Sequence, residues 1–175
     1  MLEKLISLLA LNVLEEIYLI GVVDKTEDGT IEFVTSMNFL YLEVGEQLIE
    51  LAAIESYGRI RMSFADSFHT DFGLHDVEAG RVKIGQLVFE NPLNDNKAAN
   101  LTLYNPELDK GWILTDVLGM ELANGQYLFI DPGYLGIKIG GLELKKAWED
   151  NYAERVLPRI GAWPLEKDIR IAAKV

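Results

Sequence analysis

Two turn dipeptides constrain this chain more than any other feature of it. Asn124-Gly125 lies between two extended apolar runs, residues 112–122 and 126–130, and Asp28-Gly29 lies between the β-branched run 17–23 and the alternating Ile31 and Phe33. Asn-Gly and Asp-Gly supply positive φ at little cost, so each predicts two antiparallel strands joined directly. For Asn124-Gly125 the expectation is a type I′ turn, with both central residues at positive φ.

Other segments extend the same theme. Residues 59–64 alternate cleanly, with Ile60, Met62 and Phe64 on one side, as a strand wet on one face requires. Residues 38–44 and 81–89 read as strands, the second with Gly85 as a bulge. Shorter strands are expected around Leu101 and Leu103, around Ile137 and Ile139, and over 168–172, while 47–54 fits strand or helix. Helical spacing occurs in two places. Leu2, Leu5, Ile6 and Leu9 predict a short N-terminal helix, and Leu144, Ala147, Trp148, Tyr152 and Val156 predict a long one over 142–156, with Pro158 ending it or following its end. Strands do not alternate with helices, which disfavours a doubly wound parallel sheet. The expected class is mainly β (α+β): an antiparallel β-sandwich or rolled sheet with a short N-terminal helix and one C-terminal helix, in a single domain spanning 1–175.

Composition narrows the chemistry. With 49% hydrophobic and 25% charged residues the chain has a globular balance, so wholesale disorder is excluded. It holds no cysteine, which removes disulfides, thiolate nucleophiles and Cys-based metal sites, and suits a reducing cytoplasm. The apolar stretch 2–23 is interrupted by Asn12, Glu15 and Glu16 and has no small-residue cleavage site behind it, so it reads as a packed helix running into a strand rather than a signal peptide or a membrane span.

The net charge is −12. Phosphate backbones and anionic lipid surfaces are therefore poor partners, and basic proteins are good ones. The charge is also uneven. Residues 1–144 carry 9 basic against 23 acidic side chains, a net of −14, while residues 145–175 carry 7 against 5, a net of +2. A basic tail folded on its own acidic body explains that division without a partner.

Chemistry-bearing residues gather in one segment. Both histidines, His69 and His75, fall within 66–76 among Asp66, Asp71 and Asp76. Imidazole and carboxylate are ligands for zinc, iron or manganese, and His69, Asp71 and His75 are the candidate set. Their spacing matches no established metal motif, and a polar surface loop explains it as well. Gly133, Gly136, Gly140 and Gly141 form neither a phosphate loop nor a dinucleotide fingerprint, so they read as tight turns. Among the tryptophans, Trp148 sits on the apolar helix face, as core packing demands, while Trp163 lies in irregular chain suited to a surface or interface.

These features favour a non-enzymatic, acidic interaction protein without a cofactor, of the kind that inhibits or neutralises a basic protein partner. The alternative is a metal-assisted hydrolase built on His69, Asp71 and His75. Either is compatible with a homo-oligomer assembled through the N-terminal helix and the C-terminal arm.

Overall fold

A computed structural model describes residues 1–54, 58–69, 78–91, 96–133 and 136–171, with the Met37 side chain left aside. The fold is mainly β, with two antiparallel sheets facing each other across a common core. In the seven-stranded sheet the order is β5 (Glu78–Lys83), β1 (Leu14–Lys25), β2 (Ile31–Val44), β3 (Gln47–Ile54), β4 (Arg59–Ala65), β8 (Trp112–Thr115) and β7 (Glu107–Leu108). The five-stranded sheet runs β11 (Gly136–Gly140), β10 (Tyr127–Gly133), β9 (Leu118–Leu122), β6 (Ala98–Tyr104) and β12 (Glu166–Arg170). The ambiguous 47–54 segment is thus a strand.

The core follows from alternation. Ile17, Leu40, Leu42, Ile49 and Leu51 of the larger sheet meet Leu101, Leu103, Leu118, Met120 and Ile130 of the smaller one. The N-terminal helix α1 (Leu2–Leu11) adds Leu5, Leu9 and Ala10 to the same core. Each such aliphatic side chain contributes about 1.5–3 kcal/mol when fully buried. No helix among the described residues is long and apolar enough to cross a membrane.

Both turn dipeptides make hairpins, and their loops are alike. In one, Gly29 N–H donates to the Thr26 carbonyl (2.9 Å) and Thr26 N–H to the Thr30 carbonyl (2.9 Å). In the other, Gly125 donates to Leu122 (2.9 Å) and Leu122 to Gln126 (2.8 Å). The glycines sit at φ 87° and 89°, and the preceding Asp28 and Asn124 stay at negative φ. The type I′ expectation is therefore corrected: each loop is a type I turn closed by a left-handed glycine. A side-chain bond selects it. The Oδ1 atoms of Asp28 and Asn124 accept from the N–H of Thr30 and Gln126, both at 3.0 Å.

Three further departures have local causes. The run 112–122 is two strands in different sheets, because the chain changes sheet at Asp116-Val117. There Thr115 Oγ1, fully buried, accepts from Tyr104 N–H (2.9 Å) and lies 2.8 Å from the carbonyls of Tyr104 and Val117. The segment 81–89 is strand only to Lys83 and then a single helical turn, α2 (Gly85–Val88). Glu16 Oε1 takes the N–H of Gly85 at 2.7 Å, and a Cβ on residue 85 would lie 2.3 Å from that oxygen. The C-terminal helix does not stop at Pro158. It runs as α3 (Leu142–Asn151), a π turn (Tyr152–Val156) and α4 (Leu157–Ile160). Pro158 has no N–H for the preceding turn, and the register changes just before it.

The helical run covers the outer face of the smaller sheet. Trp148 lies 5.1 Å from Tyr104, 5.7 Å from Phe129 and 5.5 Å from Tyr152 between ring centroids. It is therefore packed, as its helical spacing implies, but in a second core outside the sandwich. Trp163 is half exposed and stacks on Tyr152.

Candidate functional site

Among the described residues, no helix covers the outer face of the larger sheet. Pleating turns Leu40, Leu42 and Val44 inward, so Phe39, Tyr41 and Glu43 of the same strand face out. The register sets Tyr18 beside Tyr41, Tyr41 beside Glu50, and Glu50 beside Ser63. One strand further out, Lys83 pairs with Tyr18 and Arg81 with Ile20. The result is a row of rings and carboxylates bordered by two cations.

Phe68 closes over that row. After β4 the chain bends at Asp66 and Ser67 and returns, placing the Phe68 ring edge-on to Tyr18 (5.1 Å) and Tyr41 (5.0 Å). The Arg81 guanidinium lies 4.8 Å from the Phe68 centroid and 5.7 Å from that of Tyr18, and Lys83 Nζ lies 5.6 Å from Tyr18. These are cation–π distances. Beside Phe68 and Arg81 runs an open groove edged by the carboxylates of Glu43, Glu46 and Asp66. Tyr18 donates to Glu43 Oε2 at 2.6 Å; burial first, and then that carboxylate, push its hydroxyl up to about 12.

His69 belongs to the same face. Its N–H donates to Tyr41 Oη at 2.9 Å, and Tyr41 in turn donates to Glu50 Oε2 at 2.7 Å. His69 Nδ1 lies 2.8 Å from that same carboxylate oxygen. Glu50 is buried while the imidazole is mostly exposed, and Arg61 approaches the other carboxylate oxygen at 3.9 Å. A neutral ring bonded in this way carries its proton on Nδ1, which leaves the Nε2 lone pair for other work.

Of the residues expected from the sequence, His69 is therefore held in a defined arrangement, whereas Asp71 and His75 lie outside the described residues. Among the described residues no group of three or more histidine, aspartate or glutamate side chains converges as a metal site would. Glu50 escaped the sequence reading, although it left a trace. It is the only charged residue in β3, and a buried carboxylate demands partners. Tyr18, Tyr41 and Phe68 gave no such signal.

Compared with protein-family models, with curated proteins and with solved structures, the chain matches none.

Proposed function

We propose that this chain is a non-enzymatic interaction protein that takes a basic protein partner, as an inhibitor or immunity protein does, on the outer face of its larger sheet. One observation carries the reading: the chain's own Arg81 rests on Phe68 and Tyr18 next to a groove edged by Glu43, Glu46 and Asp66. Rings beside carboxylates form a receptor for guanidinium and ammonium groups. The net charge of −12 would draw such a partner in from a distance. We place the protein in the cytoplasm, where the lack of cysteine carries no disadvantage. The apolar face of α1 is used in its own core, so self-association would fall to the C-terminal arm, where Ile160, Trp163 and Leu165 are exposed. A monomeric mass in light scattering would remove that addition.

The probe for the main reading is a labelled oligoarginine peptide followed by fluorescence anisotropy. Binding is expected at about 0.01 M salt and should fade towards about 1 M, as the Debye length shrinks from roughly 30 Å to roughly 3 Å. Reversing Glu43 and Asp66 to Lys should weaken it about tenfold or more, while the same reversal of Glu121 and Asp150 should not. Equal effects from both pairs would overturn the assignment of the face.

The Glu50-held imidazole favours a second reading. A carboxylate behind Nδ1 orients histidines that ligate metals or act as bases. A metal-assisted hydrolase using His69, Asp71 and His75 requires zinc to raise the melting temperature of metal-free protein, and His69→Ala to abolish that rise.

A further inference from the structure

The opposite side of the molecule holds a groove that the function proposed above does not use. It lies between the smaller sheet and the helical run over it. Asp131 and Lys138, cross-strand partners on β10 and β11, form its floor, and Trp148, Tyr152 and Arg155 line the helical wall. The wall contains the π turn, a helix irregularity that recurs at functional sites. At one end stands Asn105, the single described non-glycine residue at positive φ (50°), a conformation that needs support from its surroundings.

The state of the charges is the telling feature. At the Asn105 end, the Arg59 guanidinium bonds Glu107, Asp116 and the Asn105 carbonyl. Asp116, which lines the groove too, is thus satisfied, and the remaining charges are the half-buried Asp131 and the exposed Lys138 and Arg155. Among the described residues, Asp131, Lys138 and Arg155 make no side-chain hydrogen bond and no ion pair. Burial pushes the Asp131 carboxyl up, and Lys138 opposes that shift only in part. A half-buried carboxyl that has an exposed lysine opposite but no hydrogen-bond donor leaves room for a donor from a ligand.

We propose that this groove binds a free α-amino acid, with Lys138 and Arg155 taking the carboxylate, Asp131 taking the ammonium, and the ligand side chain lying against Trp148 and Tyr152. A simple anion would be repelled by Asp131, and a simple cation by Lys138 and Arg155. A small molecule with both charges close together suits all three. The aromatic wall favours apolar or aromatic side chains.

The test is calorimetric titration of the intact protein with free L-leucine, L-phenylalanine and L-glutamate, and with phenylalanine acetylated at its nitrogen or amidated at its carboxyl. Free L-phenylalanine or L-leucine should bind, and either cap should weaken binding about tenfold or more, the scale of losing one close charge pair. Asp131→Asn and Arg155→Met should do the same with unchanged circular dichroism. If Asp131→Asn fails to fold, Arg155→Met on the exposed helix surface decides the matter. No binding of any free amino acid at millimolar concentration, equal binding of the capped forms, or indifference to Arg155→Met would overturn the proposal. Oligoarginine binding at the other face is independent of every one of these outcomes.

Discussion

The two sheets carry similar rings on their outer faces and finish them differently. On the smaller sheet Tyr104, Tyr127 and Phe129 lie beneath Leu144 and Trp148, so a helix completes a second core. On the larger sheet Tyr18 and Tyr41 meet Phe68 from a bend, with Arg81 above it. The first face is closed by the chain itself. Among the described residues the second is covered by one ring and one cation, with carboxylates edging the groove beside them. Similar strand patterns are therefore covered by a helix in one place and, among the described residues, by a bend in the other.

The largest expected effect breaks the closed side. Trp148→Ala removes the ring that ties the helix to Tyr104 and Phe129 and should cost about 2–3 kcal/mol in urea unfolding, less than a fully buried tryptophan because Trp148 is only half-buried. Phe68→Ala on the other face should cost about 1 kcal/mol, since Phe68 is itself only partly buried although Tyr18 and Tyr41 beneath it are closed off from solvent. Equal costs would mean that the larger sheet's face is as much a core as the other.

Tyrosine titration sharpens the contrast. Burial pushes Tyr18, Tyr104 and Tyr127 each up to about 12. A phenol raised in this way stabilises the fold fully below its ordinary value of 10.0 and loses that contribution as pH climbs through about 12. Glu43→Gln removes the carboxylate beside Tyr18 alone. Spectrophotometric titration should then show one tyrosine moving down while the two beneath the helix stay in place.

The hairpins offer the smallest effect and the closest comparison, because two loops share one geometry with different side chains. Thr26 bonds the Asp28 carboxylate, and this with Thr30 holds it down at about 2. Asn124 has nothing to titrate. The Asp28 carboxyl should titrate near 2 by NMR, and the amide of Thr30 should follow it while that of Gln126 does not.

These hairpins were legible because Asp28-Gly29 and Asn124-Gly125 act through neighbours in the chain. So were the alternation of Arg59 to Phe64 and the helical spacing from Leu144 to Tyr152. The turn type and the π turn depart through neighbours in the chain, but at two other places a residue distant in sequence intervenes. Glu16 turns Gly85 into a helix start, and Thr115 bonds Tyr104 at the sheet change. The site follows the same rule. His69 was singled out with its sequence neighbours Asp71 and His75, yet the partners in the described structure are Glu50 and Tyr41, brought together by the β2–β3–β4 register. Tyr18 and Arg81 are likewise neighbours only through the pairing of β1 with β5. Local pattern exposes turns and faces; it does not expose what packs on each face.

The most direct test of that central contrast is to map amide chemical shifts while oligoarginine is added at low salt. Changes should gather at Tyr18, Glu43, Glu46, Phe68 and Arg81, with Arg81 leaving the rings as the peptide arrives, and the strands beneath Trp148 should not respond. Shifts spread evenly over the acidic surface, or centred on the smaller sheet, would contradict the account.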